Sequence, residues 1–156
     1  MYRGGVRPLY LILVVLGCSK TEPARSVPTG GWVEVDPDKP LAAQLAAEAK
    51  AAAKSGKKPH AYLHAAWCPP CVEIEKTRLV DPTMQAAFAT THIIAIDVDD
   101  IDVQQLTAAG MNTKVIPIFY RLDDKGVPVG TSIDGGAWGD NIPAKMAPPL
   151  TAYFTK

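Results

Sequence analysis

Two cysteines separated by two prolines are the residues of this sequence best placed to do chemistry. Cys68 and Cys71 lie in the stretch "HAAWCPPCVE", residues 64–73. On one helical turn this spacing puts both side chains on the same face, where they can form a disulfide. Such a pair can serve as a redox couple, as half of a metal site or as a structural staple, and the spacing alone leaves the three open.

The elements around the cysteines favour a reactive thiol. The segment "HAYLHAAW", residues 60–67, is predicted to be a buried strand, and residues 69–79 are predicted to be a helix opened by the two prolines. Cys68 then lies at the helix N-terminus, where free N–H groups and the helix dipole favour a thiolate. We therefore expect Cys68 to attack and Cys71, one turn inside and more shielded, to resolve the mixed disulfide.

The rest of the chain alternates strand and helix patterns. A helix is predicted between Pro40 and Gly56, and the turn "DDKG" is predicted to join two strands as a hairpin. Further strands are expected at residues 31–35, 92–98, 114–122 and 127–133, and helices near residues 82–89 and 102–110. A final helix from Asp140 is expected to be broken by Pro143 and by Pro148-Pro149. This order predicts an α/β fold, a central mixed β-sheet flanked by helices.

The first 17 residues are predicted to be a signal peptide. Arg3 and Arg7 precede an apolar run, residues 9–17, that is about half of the roughly 20 residues needed to span a bilayer. The run ends in "VLGC", which resembles the lipobox of bacterial lipoproteins, where the chain is cut before the cysteine and the thiol carries a lipid. Cys18 is therefore the expected lipidation site. Ordinary cleavage nearby, leaving Cys18 as a free thiol, is the alternative.

The segment after Cys18 is predicted to be a flexible tether, because residues 19–31 are polar and rich in Pro and Gly. This divides the chain into a signal peptide (1–17), a lipidated cysteine with its tether (18–31) and one domain (32–156). We expect an exported, lipid-anchored protein at the periplasmic face of the envelope, where dithiols can oxidise and persist. Ser19 lacks the acidic character that retains lipoproteins at the inner membrane, which favours the outer membrane. The 16 basic and 16 acidic residues cancel, so nucleic acid is not an expected partner.

The cysteine segment resembles the active site of thioredoxin-like proteins. "WCPPC" follows an apolar strand, and Pro117 in "VIPIF" lies where that family has a cis-proline opposite its cysteines. Gly135-Gly136 resembles the glycine at the rim of the family's site. The stretch "AAWCPPCVEIEKTRLVDPTMQAAF" further resembles the periplasmic C-terminal domain of the transmembrane thiol:disulfide interchange reductase.

The resemblance implies a thioredoxin fold and a thiol:disulfide oxidoreductase whose redox group is its own Cys68–Cys71 disulfide, with no other cofactor and no metal. It also implies protein disulfide or dithiol substrates and a membrane electron donor, and we expect a monomer. The short stretch between Cys71 and Pro117 has no room for the helical insertion of the strong oxidases, which favours a reductase or an electron carrier. The residues expected to support the two cysteines are Trp67, Pro69, Pro70, Glu75, Ile116 and Pro117.

Two positions depart from the family pattern. Thioredoxins carry a buried acid six residues before the first cysteine, and this chain has Tyr62 there, so proton transfer falls to Glu75 or to water. His64 occupies a position that is usually aromatic, and core packing is a better prediction for it than proton transfer. The alternative function is a metal-binding chaperone using the cysteine pair with His64, although no second CxxC or paired His motif supports it. A structural staple is less favoured, because so short a loop constrains the unfolded chain only slightly.

Overall fold

The computed structural model describes residues 31–156, so the predicted signal peptide, Cys18 and most of the tether lie outside the described residues. The strands are β1 (Gly31–Glu34), β2 (Lys58–His64), β3 (Thr91–Asp97), β4 (Ile118–Arg121) and β5 (Ile133–Asp134). The helices are α1 (Leu41–Lys54), α2 (Pro69–Val80), α3 (Pro82–Phe88), α4 (Val103–Ala108) and α5 (Pro143–Thr155), with one 3-10 turn at Gly135–Ala137. Within this range no helix is both long enough and apolar enough to cross a bilayer.

The five strands form one mixed sheet in the order β1–β3–β2–β4–β5. β1, β3 and β2 run parallel, whereas β4 is antiparallel to β2 and β5 is antiparallel to β4. The central strand β2 is buried from His60 to His64 and leads directly to the cysteines. The predicted α/β architecture with a central mixed sheet is confirmed.

The alternation of side chains along β2 divides the core into two layers. Ala61 and Leu63 belong to the cluster that α1 and α4 cover on one face of the sheet. Tyr62 belongs to the other cluster, which α2, α3 and α5 cover and which contains both cysteines. Tyr62 stacks on Phe119 with ring centroids 4.5 Å apart, so the residue beneath the active-site helix is fixed by aromatic packing.

The hairpin after Pro117 is shorter than predicted. β4 ends at residue 121, one isolated bridge joins Leu122 to Pro128 beyond it, and β5 comprises only two residues. The expectation of a strand over 127–133 is therefore wrong. Pro128 has no N–H to donate, and Gly130 has a φ of 70°, so this stretch cannot continue a regular ladder.

The predicted breaks in the last helix are also wrong. α5 begins at Pro143, where a missing N–H costs nothing, and it continues through Pro148 and Pro149. These two prolines remove two of the hydrogen bonds of the helix, and burial of its apolar face offsets the loss. The residues of that face with no exposed surface are Met146, Leu150 and Phe154.

Candidate active site

The chain turns sharply between β2 and α2. β2 ends at His64, before the predicted end at residue 67, and the N–H of Cys68 donates to the carbonyl oxygen of Ala65 at 3.1 Å. Cys68 is the N-cap of α2, and its sulfur accepts the N–H of Cys71 at 3.4 Å. The two prolines occupy the first helical positions, where no intrahelical donor is needed. The local sequence therefore holds Cys68 at the positive end of the helix dipole.

Cys68 and Cys71 form a disulfide with their Cα atoms 5.3 Å apart. Cys68 has 3% of its surface exposed and Cys71 has none. A partner sulfur therefore approaches Cys68 more easily than Cys71, in the order that we predicted for attack and resolution. The pair lies in the apolar cluster with Ile74 and Phe119, which keeps water from its inner side.

Pro117 lies at the same end of the sheet as the cysteine loop, because β2 and β4 pair Leu63 with Ile118. The Ile116–Pro117 peptide bond is cis, as the family resemblance implied. Ile116 is half-buried and packs against the cluster that contains both cysteines. Pro117 and Ile116 thus border the disulfide region from the strand opposite α2.

The rim of the site is apolar and exposed. Trp67 has 65% of its surface exposed, and its indole N–H donates to Oδ2 of Asp99 at 2.6 Å. Val72 and Val115, each next in sequence to a predicted site residue, are also exposed. Exposed apolar side chains beside a reactive disulfide are suited to contact with another protein.

His64 is held between two carboxylates. Its Nδ1 lies 3.1 Å from Oε1 of Glu75, and its Nε2 lies 3.3 Å from Oε2 of Glu34. The ring also stacks on Tyr62, with centroids 5.0 Å apart and an interplanar angle of 9°. The prediction of a packing role for His64 is correct for the ring face but missed the two polar contacts.

The charges of this bridge shift the pKa values of its members. Burial lowers the pKa of His64, but the hydrogen bond to Glu34 and the charge of Glu75 outweigh burial and raise it above its usual value. The hydrogen bond to His64 lowers the pKa of Glu34. Burial raises the pKa of Glu75. The imidazole therefore stays protonated to a higher pH than a free histidine, and Glu75 accepts a proton more readily than a free glutamate.

Tyr62 takes the place of the acid that thioredoxins bury. It has no exposed surface, and its hydroxyl donates to the carbonyl oxygen of Cys71 at 3.4 Å. Burial and the charge of Glu75 raise the pKa of the Tyr62 hydroxyl well above its usual range. Tyr62 is therefore a neutral link between β2 and α2, and it supplies no base at neutral pH.

The sequence analysis did not single out Glu34 or Arg78. Oε1 of Glu34 accepts the indole N–H of Trp32 at 2.9 Å, and the Arg78 guanidinium lies 3.8 Å from the centroid of the Trp32 ring. Trp32 is a packing residue, as expected, and it joins β1 to the active-site helix. The only sequence signal for Glu34 was its place in the predicted strand "GWVEV".

The arrangement of the histidines does not suit a metal-binding chaperone. His60 is fully buried, and His92 pairs with Glu48 at 2.8 Å. Both ring nitrogens of His64 already face carboxylates. Across residues 31–156 no group of three or more His, Cys, Asp or Glu side chains is placed to hold a metal ion.

Comparisons with known proteins agree with this geometry. The family model described as thioredoxin-like matches residues 40–132, more than half of the chain. No curated protein matches the chain. Among solved structures, a disulphide isomerase from Xylella fastidiosa Temecula1 aligns at 19% identity and a TM-score of 0.54, over 78% of this chain and 93% of its own.

Two thioredoxins show the same fold. Poplar thioredoxin h aligns at 22% identity and a TM-score of 0.52, over 81% of this chain and 99% of its own. The thioredoxin of Malassezia sympodialis aligns at 19% identity and a TM-score of 0.50, over 80% of this chain and 92% of its own. The predicted thioredoxin fold is confirmed.

Proposed function

The chain belongs to the thioredoxin-like family, and from that premise we propose that it is an extracytoplasmic, lipid-anchored reductase or electron carrier acting on protein disulfides. Its fold and its redox disulfide make it a thiol:disulfide oxidoreductase of the thioredoxin type. The observation that carries the proposal is the Cys68–Cys71 disulfide at the N-terminus of α2. The predicted finer activity, with its substrates and its electron donor, is built on that site.

In the proposed reaction the reduced protein passes two electrons to a substrate disulfide. The Cys68 thiolate attacks one substrate sulfur, so a mixed disulfide forms and the first substrate thiolate leaves. Cys71 then attacks the Cys68 sulfur, which closes the Cys68–Cys71 disulfide and releases the second substrate thiolate. The backbone of Ile116 beside Pro117 would pair with an extended substrate segment, and a membrane donor would restore the dithiol.

The support for the location comes from the sequence. The signal pattern ends at Cys18, and the following tether would let a lipidated domain work near a membrane, with the outer membrane favoured. Mass spectrometry of the full chain is expected to find lipid on Cys18, and Cys18→Ser is expected to release the protein from the membrane fraction. A soluble full chain with an unmodified Cys18 would contradict the anchor but not the disulfide chemistry.

The activity is tested with insulin and with trapping variants. Reduced protein is expected to precipitate insulin by cleaving its disulfides, and Cys71→Ser is expected to accumulate mixed disulfides through Cys68. The matched control, Cys68→Ser, lacks the attacking thiol and is expected to trap little. If neither insulin cleavage nor mixed disulfides appear, the proposed function is wrong.

A further inference from the structure

The bridge through His64 has an inner end and an outer end. Nδ1 of the imidazole faces Glu75, which lies on the active-site helix, and Nε2 faces Glu34, which lies on the edge strand β1. The side chain of His64 has 10% of its surface exposed, whereas that of Glu34 has 59%. An imidazole with one carboxylate on each nitrogen can take up a proton on one side and release a proton on the other.

The inner end of the bridge lies next to the resolving cysteine. Glu75 follows Cys71 by four residues on α2, so the two side chains are neighbours on one face of the helix. Tyr62 binds the carbonyl oxygen of Cys71 and stacks on the His64 ring, which fixes the ring beneath the same helical turn.

The outer end is held open to solvent. The indole N–H of Trp32 binds one oxygen of Glu34, and the other oxygen is left for His64. Arg78 stacks on the opposite part of this contact through the Trp32 ring. The charged and titratable groups that face the His64 site are Glu34 from β1, Tyr62 from β2, Asp97 from β3, and Glu75 and Arg78 from α2.

We propose that His64 is a proton relay that carries the proton of the Cys71 thiol from Glu75 to Glu34 and so to solvent. This inference rests on the proposed function, since it concerns the step in which Cys71 resolves the mixed disulfide. His64 acts through Glu75 and is therefore a positioning residue for the reaction. The relay replaces the buried acid that this chain lacks at Tyr62.

The proton and electron changes balance without another reactant. The Cys71 thiol gives its proton to the Glu75 carboxylate, and the thiolate attacks the Cys68 sulfur. The substrate thiolate leaves with the electron pair of the broken bond and takes a proton from solvent. The imidazolium gives its Nε2 proton to Glu34 and takes the Glu75 proton at Nδ1, so the bridge returns to its first state once Glu34 releases its proton.

The test separates attack from resolution with 5,5′-dithiobis(2-nitrobenzoate) in stopped flow. Attack by Cys68 releases the first thionitrobenzoate at a rate that depends on reagent concentration. Resolution by Cys71 releases the second thionitrobenzoate at a rate that does not. Both phases are measured from pH 5.5 to 9 on the reduced protein, for the wild type, His64→Phe and Glu34→Gln. Phe keeps the stacking on Tyr62, and Gln keeps a hydrogen-bonding group at Nε2 but accepts no proton.

We expect both variants to slow resolution about tenfold near pH 6.5, at the low end of the usual contribution of a positioned proton acceptor. We expect the pH midpoint of resolution to rise by about one unit and the attack rate to stay within about twofold. The matched control is Glu48→Gln, which alters the Glu48–His92 pair on α1 and β3 and should change neither phase. Thermal unfolding of each variant confirms that it is folded.

Three results would count against the relay. Unchanged resolution in both variants would overturn it, as would equal slowing of both phases with an unchanged pH midpoint, because that pattern indicates a structural role. A wild type with no resolution phase would overturn the proposed function itself, and the relay with it. Slowed resolution in His64→Phe with a normal Glu34→Gln would also overturn it, because the outer carboxylate would then carry no proton.

Discussion

Gly135 lies directly against Pro117: its N–H donates to the Pro117 carbonyl oxygen at 3.2 Å, and a Cβ atom at position 135 would lie 3.5 Å from Pro117 Cδ. That distance is an ordinary contact, so alanine fits here. A longer side chain would extend over the cis-proline or towards Trp138, whose ring lies 3.8 Å from the same Cβ position. Gly135 therefore keeps the surface around Pro117 open.

We expect Gly135→Leu to slow insulin reduction about tenfold, the equivalent of about 1.4 kcal/mol of lost docking energy. Reaction with a small disulfide reagent should stay within about twofold, since a small molecule does not need the covered surface. Gly135→Ala is the control and is expected to behave like the wild type in both assays. Equal slowing of large and small substrates in Gly135→Leu would show that the side chain disturbs the disulfide itself.

Trp67 is expected to matter for partner binding far more than for stability. Because the side chain is 65% exposed, Trp67→Ala should change the free energy of unfolding by only about 0.5 kcal/mol. Loss of an exposed aromatic anchor should still raise the KM for protein substrates about tenfold or more. Asp99→Asn keeps an acceptor for the indole N–H and should have a smaller effect. A large drop in melting temperature for Trp67→Ala would contradict this assignment.

The cysteine helix was predictable because each of its signals is local. The buried strand "HAYLH", the paired prolines and the spacing of Cys68 and Cys71 all lie within a dozen residues, and the structure has them as expected. The predicted helix cap at Asp102 is likewise local, since its carboxylate accepts the N–H of Gln104, two residues on.

The Glu34 contact was not predictable, because it depends on the order of strands. β3 lies between β1 and β2, and the register pairs Glu34 with Ala95 and Ala95 with Tyr62. Ala95 has only a methyl group, which leaves space for Glu34 to reach His64 across β3. The prolines of α5 misled the sequence analysis for a related reason. Their local cost is visible in the sequence, but the burial that offsets it is not.

Gly126 is expected to be the glycine that tolerates substitution least. Its φ is +81°, and a Cβ there would lie 2.5 Å from the backbone carbon of Leu45 on α1. Backbone atoms cannot move aside easily, so we expect Gly126→Ala to lower the free energy of unfolding by about 2–4 kcal/mol, measured by urea denaturation. Gly56 has a similar φ of +67° with nothing within 4 Å of the added Cβ.

Gly56→Ala is thus the matched control for backbone conformation alone, and it should lose only about 1 kcal/mol. Similar losses in the two variants would mean that the docking of the "DDKG" turn on α1 adds nothing to the conformational cost.

His60 is expected to make the fold sensitive to acid. Its Nδ1 lies 3.0 Å from the carbonyl oxygen of Lys58, and its Nε2 has no hydrogen-bond partner among residues 31–156. The ring packs on Phe154 at a centroid distance of 4.8 Å. Burial, together with the nearby charge of Arg121, lowers the pKa of His60 to about 4. The folded protein therefore resists a proton that the unfolded chain accepts at its ordinary pKa of about 6.5.

Above pH 6.5 His60 is neutral in both states and costs nothing. As the pH falls from about 6.5 to about 4, the unfolded chain gains the proton first, so stability should fall by up to about 3 kcal/mol. Urea denaturation at pH 7.5, 5.5 and 4.5 measures this loss, and His60→Phe should remove it while keeping an aromatic ring in the cluster. His64 works in the opposite direction, because its raised pKa favours the folded state at low pH, but it is present in both proteins and cancels in their difference. A difference between wild type and His60→Phe that stays constant with pH would show that His60 is protonated in the folded state as readily as in the unfolded chain.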